Sequence, residues 1–136
     1  MEFSQETTIK IGELEHLFRF HNEESGTLGL QLDINWGAIS FAQLHGLFRS
    51  FLIRNHGVPV GYDFFFVSPD ILHKTKMAAT ELAIFIHPAH RGCGPRFIKW
   101  VDSRMEADII YRGTKKGHSL ERFGYTKLND LYGKVK

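Results

Sequence analysis

Cysteine and long apolar runs are scarce in this chain, and each scarcity excludes a class of protein. The single cysteine, Cys93, has no partner for an internal disulfide, which excludes a small disulfide-stapled domain. The longest apolar runs, at 63–67 and 83–86, are far shorter than the roughly 20 residues that a membrane helix needs. Residues 1–6 lack the basic and then apolar pattern of a secretory signal. We therefore expect a cytoplasmic protein with no membrane-spanning segment.

Net charge is also small, at +2 from 17 lysines and arginines and 15 acidic residues. This excess is too small to indicate a nucleic-acid-binding protein. The eight histidines show no ligand spacing beside cysteines or carboxylates, so we predict no metal site. With 43% apolar and 24% charged residues, the chain has the composition of a globular domain, and residues 1–136 suffice for one domain with a core.

The spacing of apolar residues predicts an alternation of strands and helices. The predicted elements are a strand at 7–11, a helix at 12–24, a strand or apolar flap between 25 and 35, a helix at 41–48 with Ser40 as its N-cap, a hairpin of 49–54 and 58–67, a loop at 71–80, a strand at 81–87, a helix from 95 to about 107, a strand at 108–114, a short helix at 119–123 and a closing hairpin around Asn129 and Asp130. This order predicts an α/β fold of the α+β type, a central mixed sheet flanked by helices.

A strand that leads through a glycine-rich basic turn into a helix, at 81–100, is the most informative segment. Gly92 and Gly94 allow backbone amides to converge on an anion, and a helix beginning there adds its unpaired N–H groups and the positive end of its dipole. Arg91 and Arg96 flank the turn and supply guanidinium groups. The pattern indicates a phosphorylated ligand, although such turns also serve as plain connections between a strand and a helix.

Three motifs in this order resemble the GNAT (Gcn5-related) N-acetyltransferases. Residues 60–67 read VGYDFFFV and resemble the central hairpin strand of the family. Residues 87–94 read HPAHRGCG and resemble its acetyl-CoA signature, and residues 120–125 read LERFGY and resemble its final helix and strand. In element order the resemblance extends over 7–136. A subgroup encoded by bacteriophages or prophages is similar in addition, through FVSPDILHKT at 66–75.

The resemblance implies a protein that binds acetyl-CoA as cosubstrate. In the family the strand ending near His87 separates from its neighbour, and the pantetheine arm bonds to exposed backbone, here at Ile84, Phe85 and Ile86. The turn that follows holds the pyrophosphate. The residues assigned to it by resemblance are Arg91, Gly92, Cys93, Gly94 and Arg96.

Acid and base candidates also follow from the resemblance. Glu81 is the candidate base, and alternation along a strand would place it on one face with Ala83, Phe85 and His87. It could instead pair with Lys76 or Lys115. The usual tyrosine acid is replaced by Leu120, which leaves Ser119 and Tyr125 as candidates, beside His118 and Tyr132. Arg112, with the lysines at 115 and 116, could contact the 3′-phosphate of coenzyme A or solubilise the end of a strand.

Two functions fit these residues. The first is an acetyl-CoA-dependent N-acetyltransferase that transfers an acetyl group to a primary amine of a small molecule or protein. The second is a GNAT-fold binding protein, of phage type, that engages a host or virion protein without turnover. The turn at 87–98 is about two residues shorter than the family signature, which favours the second. A homodimer is compatible with the sequence, but no feature requires it.

Overall fold

The computed structural model describes residues 1–25, 30, 33–114, 118–129 and 132–136. In chain order its elements are β1 (Glu2–Glu6), α1 (Ile11–Ser25), α2 (Trp36–Leu44), β2 (Phe48–Asn55), β3 (Val58–Pro69), β4 (Met77–Ile86), a 3-10 helix (Pro88–Cys93), α3 (Gly94–Arg104), β5 (Ile109–Tyr111) and a 3-10 turn (Glu121–Phe123). The strands form one sheet in the order β1-β2-β3-β4-β5. Neighbours from β1 to β4 are antiparallel, and β5 runs parallel to β4. The predicted mixed sheet flanked by helices is confirmed.

Each face of the sheet carries its own apolar core. On one side α1 and α2 cover a core that includes Leu14, Phe18, Leu52, Tyr62 and Phe85, here called the α1–α2 face. On the other side α3 covers the α3 face, whose buried residues include Phe51, Phe65, Ala79, Phe97 and Val101. Because successive residues of a strand point to opposite faces, β2, β3 and β4 contribute to both cores. None of the helices within the described residues is long and apolar enough to cross a membrane.

The central hairpin has a two-residue turn at His56 and Gly57. Both residues have a positive φ, 48° and 79°, which matches the twist of the flanking strands. This confirms the hairpin expected at 49–54 and 58–67. Gly124, with a φ of 87°, likewise ends the 3-10 turn that occupies part of the predicted helix at 119–123.

Several predicted boundaries are wrong. The first strand is Glu2–Glu6 and not 7–11, because residues 2–6 pair with β2 and place Phe3 against Phe97 at 5.2 Å between ring centroids. The second helix begins after Asn35, whose Oδ1 accepts the N–H of Ala38 at 3.0 Å, and not after Ser40. The predicted loop at 71–80 ends earlier, since β4 begins at Met77.

The hairpin predicted around Asn129 and Asp130 lies partly outside the described residues, which exclude Asp130. The described residues 125–129 and 132–136 contain no strand or helix. The flap or strand expected between 25 and 35 also falls largely outside them, with Leu30 in an isolated bridge.

Candidate functional site

An opening separates β4 from β5 on one side of the sheet. β5 pairs with β4 only from Ala78 to Thr80, whereas β3 pairs with β4 as far as Ile86. From Glu81 to Ile86 the far edge of β4 therefore has no strand partner within the described part of the chain. This is the separation that the family resemblance implies between the strand ending near His87 and the strand beginning near residue 108.

Backbone polar groups of alternate β4 residues point into the opening. The N–H of His87 donates to Val60 O at 2.8 Å, so His87 faces β3 and, by alternation, Ile84 and Ile86 face away from it. Consistent with this, Ile86 O accepts a bond from Arg91 Nε at 3.0 Å instead of a ladder bond. Phe85 pairs with Tyr62 of β3. Of the predicted pantetheine contacts, Ile84 and Ile86 therefore present backbone groups, and Phe85 does not.

The turn after β4 is a 3-10 helix that uses several of its own amides. Gly94 N–H donates to Arg91 O, and His90 N–H donates to His87 O at 2.8 Å. Pro95 has no N–H, so the start of α3 offers fewer donors to an anion than a free helix N-terminus does. Cys93 is half-buried and its Sγ donates to His90 O at 3.0 Å, while Gly92 is exposed and a side chain there would meet open space.

The two arginines of the turn contact opposite faces of the sheet. Arg91 forms an ion pair with Glu24 of α1 and lies over the Phe85 ring at 5.8 Å, on the α1–α2 face. Arg96 lies over the Phe3 ring at 5.4 Å, on the α3 face. The guanidinium groups do not converge on one point in this conformation, since each has an aromatic partner of its own.

A β-bulge in β4 reverses the expected orientation of Glu81. The pairing shifts between Phe64, opposite Ala83, and Phe65, opposite Glu81, so Leu82 is the extra residue. Glu81 consequently lies with Phe65 on the α3 face, whereas Ala83 and Phe85 lie on the α1–α2 face. The prediction that Glu81 shares a face with Ala83, Phe85 and His87 is wrong, because it assumed unbroken alternation.

Glu81 belongs to a buried charge cluster centred on Arg112. Arg112 Nη1 contacts Asp63 Oδ2 at 2.7 Å and also binds the Glu81 carboxylate, and Nη2 binds Asp102 Oδ1 at 2.9 Å. The side chains of Arg112, Asp63 and Glu81 are 1%, 0% and 6% exposed. The guanidinium lies over the Phe65 ring at 5.0 Å. Arg112 is therefore not an exposed phosphate contact, and the lysines at 115 and 116 lie outside the described residues.

Both buried carboxyls of this cluster have a raised pKa, and the larger effect falls on Asp63. Burial, and then the charge of Glu81, raise the pKa of Asp63 well above its usual value, against the opposing effect of Arg112. Burial likewise raises the pKa of Glu81. Asp63 Oδ1 is buried without a hydrogen-bond partner among the described residues, which adds to the cost of a charge there. The cluster thus holds more protons when folded than when unfolded.

This excess of protons predicts the direction of a pH effect on stability. An unfolded aspartate loses its proton near pH 3.9, whereas folded Asp63 retains it to higher pH, so the free energy of unfolding should fall as pH rises above about 4. The slope is at most about 1.4 kcal/mol per pH unit for one proton. Urea titrations at a series of pH values should show this fall in the wild type and a flatter profile in Asp63→Asn. Glu106→Gln, at an exposed site, should keep the wild-type slope; equal slopes in all three proteins would contradict the assignment.

The two candidate acids occupy different environments. Tyr125 is half-buried, its hydroxyl donates to Asp102 at 2.9 Å and accepts from Arg112 Nε at 2.9 Å, and burial raises its pKa. Ser119 is exposed, and its Oγ accepts the N–H of Glu121 at 3.2 Å. Tyr125 therefore joins Glu81 through Arg112, while Ser119 caps a turn.

A pocket of about 290 Å³ opens on the α1–α2 face beside the bulge. Its apolar walls come from α1, α2 and three strands, namely Phe18, Ile34, Ala38, Ile39, Phe48, Phe64, Leu82 and Ala83. The polar lining groups are His21, Tyr62, Asp33 and Asn35. His21 Nδ1 is hydrogen-bonded to the Tyr62 hydroxyl, and its ring stacks on Phe85 at 5.0 Å. Because Leu82 belongs both to this lining and to the bulge at the edge of the opening, the two features adjoin.

Comparisons with known proteins rest on structure alone. No protein-family model matches the sequence, and no curated protein matches it. A GNAT family acetyltransferase from Staphylococcus aureus superposes with a TM-score of 0.67 at 16% identity, over 100% of both chains. The chain has the GNAT fold. A transcriptional regulator from Bacillus halodurans shares this GNAT fold with a TM-score of 0.73 at 16% identity, over 99% of this chain and 100% of the other. A predicted acetyltransferase from Clostridium acetobutylicum, solved with acetyl-CoA, superposes with a TM-score of 0.60 at 11% identity, over 99% of this chain and 95% of the other.

Within this GNAT fold, sequence reasoning missed Asp63 and the central role of Arg112. Asp63 stands between Tyr62 and Phe64 in an apolar run, and a single charge in such a run is the available signal of a buried ion pair. Nothing in the sequence near Arg112 indicates its partners, because they come from β3, β4 and α3. His21 and Asp33 were missed for the same reason.

Proposed function

We propose that this protein is an N-acetyltransferase that uses acetyl-CoA and acetylates a primary amine. The observation that carries the proposal is the opening between β4 and β5, where backbone groups of Ile84 and Ile86 lie beside a pocket. Pantetheine contains amide groups that can pair with such a strand edge as a missing strand would. The likeness to acetyltransferases of the GNAT fold supports the same function. None of the three structures is described as phage-encoded, so the phage-type resemblance remains a prediction of the sequence.

The residues present fit acetyl-CoA unequally along its length. The strand edge at Ile84 and Ile86 suits the pantetheine arm. For the pyrophosphate, we propose that Arg91 and Arg96 supply charge and that Gly92, Cys93 and Gly94 form the backbone wall, because the 3-10 turn has already used several amides. Arg91 would then exchange its ion pair with Glu24 for a phosphate oxygen.

Acetyl-CoA, when bound, supplies an acetyl thioester: the amine nitrogen bonds to the acetyl carbon, the carbon–sulfur bond breaks, and the amine loses a proton. A thiol has a pKa near 8.5, so the departing sulfur can take a proton from water at the opening.

We propose that Glu81 and Tyr125 position Arg112 and the rim of the opening, since their polar atoms are engaged on the α3 face. Ser119 is not among the residues that line the pocket. The carboxylate that lines the pocket is Asp33.

Isothermal titration calorimetry with acetyl-CoA tests the proposal. We expect saturable binding to the wild type and about tenfold weaker binding to Arg91→Ala, because a hydrogen bond between charged groups contributes roughly 1.5–3 kcal/mol. Arg104→Ala, which removes the same charge at the other end of α3, is the matched control and should bind like the wild type. No binding at millimolar acetyl-CoA would remove the acetyltransferase proposal, and unchanged affinity in Arg91→Ala would remove Arg91 from the phosphate site.

The second candidate function is that of a binding protein without turnover. The 3-10 turn favours it, because the amides of His90 and Gly94 are bonded within the turn. Leu120, at the family's usual tyrosine position, favours it as well. The calorimetry distinguishes the two functions, because a pure binding protein of this kind needs no affinity for acetyl-CoA.

A further inference from the structure

The pocket on the α1–α2 face combines an apolar body with a carboxylate, that of Asp33. Eight of its twelve described lining residues are apolar, and they surround most of its volume. Asp33 is exposed at its rim and makes no ion pair or hydrogen bond within the described part of the chain. A carboxylate in such a position attracts a cation, and apolar walls favour a ligand that carries its charge at one end.

The remaining polar side chains of the pocket are each engaged in at least one hydrogen bond. Asn35 Oδ1 accepts the N–H of Ala38, and the Tyr62 hydroxyl is bonded to His21. Burial raises the pKa of Tyr62, so its hydroxyl stays neutral. The pocket therefore offers few hydrogen bonds to a ligand with many hydroxyl or amino groups, such as a sugar or a polyamine. Its volume of about 290 Å³ is at the lower end for small-molecule sites.

We propose that the acceptor is a compact primary amine with an apolar or aromatic body, whose ammonium group is held by Asp33. This inference rests on the proposed function. The body would lie between Phe18, Phe48 and Phe64, and the nitrogen would approach the opening at Leu82, the residue shared by pocket and bulge. The carboxylate attracts the ammonium form; the nitrogen gives one proton to solvent before its lone pair bonds to the acetyl carbon, and Asp33 is placed to accept the second proton, which the nitrogen loses as the carbon–sulfur bond breaks.

Calorimetry with 2-phenylethylamine, in the absence of acetyl-CoA, tests the pocket directly. We expect binding to the wild type, about tenfold weaker binding to Asp33→Asn, and loss of binding in Ala38→Phe, which fills the pocket from α2. Glu106→Gln, an exposed carboxylate outside the lining, is the control and should bind normally. The neutral analogue 2-phenylethanol should bind about tenfold more weakly than the amine, and glucosamine and spermidine should bind more weakly still.

Equal affinity of wild type and Asp33→Asn, or affinity for spermidine that matches that for 2-phenylethylamine, would overturn the inference. Calorimetry with acetyl-CoA, run beside the amine titration, separates its failure from that of the proposed function. If acetyl-CoA binds but 2-phenylethylamine does not, the amine class is wrong and the acetyltransferase proposal stands. If the amine binds in the predicted pattern but acetyl-CoA does not, the pocket assignment stands and the acetyltransferase proposal fails.

Discussion

Arg112→Leu should lower the free energy of unfolding by about 3–5 kcal/mol, because it removes the cation from a buried cluster and leaves its carboxylates uncompensated. Asp63 and Glu81 both bind the same guanidinium nitrogen and are 0% and 6% exposed, so water cannot replace the lost contacts without opening the sheet. Urea denaturation followed by circular dichroism measures the change. Arg54→Leu is a matched control, since Arg54 also pairs with two carboxylates, Glu6 and Glu13, but at 30% and 29% exposure. We expect it to cost about 1 kcal/mol.

The pH dependence of the Arg112→Leu loss identifies its cause. Without the cation, the buried carboxyls take up protons more readily in the folded state than in the unfolded chain, so lowering the pH should stabilise the variant. The difference from wild type should therefore shrink between about pH 7.5 and about pH 5. A loss that stays constant over this range would show that the packing of Arg112 on Phe65, and not its charge, accounts for the effect.

Phe65→Ala should also lower the free energy of unfolding by about 3–5 kcal/mol, the usual cost of emptying a fully buried aromatic site. Phe65 is 0% exposed, packs edge-on against Phe51 at 6.0 Å and supports the Arg112 guanidinium. Removing the ring leaves a cavity and also removes the surface on which the Arg112 guanidinium lies. Thermal and urea denaturation of the two proteins give the difference.

The neighbouring phenylalanine is the control for this second variant. Phe66 follows Phe65 on β3 but points to the opposite face and is 37% exposed. Phe66→Ala should cost about 1 kcal/mol or less, because a partly exposed side chain leaves little cavity. Equal losses in the two variants would contradict the register in which Phe65 lies opposite Glu81 and Phe66 opposite Thr80.

Local patterns predicted the elements whose signals lie within a few residues. The apolar spacing of α1, the turn at His56 and Gly57 and the Pro95 start of α3 each act over one or two turns of chain, and the structure contains all three. The first strand and the second helix were misplaced by several residues, because their positions depend on contacts with β2 and on the cap at Asn35. The splayed strands of the site were expected only through the family resemblance.

The candidate site illustrates why alternation alone fails. A period of two places Glu81 on the face of Ala83 and Phe85. The one extra residue at Leu82, however, moves the side chains that precede it on β4 to the opposite face of the sheet. The same inversion places Glu81 beside Arg112, so the carboxylate that lines the pocket is Asp33 and not Glu81. Bulges of this kind arise from pairing with the neighbouring strand, and no residue of β4 predicts one from the sequence.

By itself the sequence determined the fold class: a mixed sheet flanked by helices, with a glycine-rich basic turn between a central strand and a helix. Those properties follow from composition and from interactions between residues close in the chain. Only the tertiary structure decided which face each side chain of β4 occupies, that Arg112 is buried among carboxylates, and that α1, α2 and the bulge line a pocket. These depend on strand register and on contacts between residues such as Asp63 and Arg112, which lie far apart in the chain and meet only when the sheet forms.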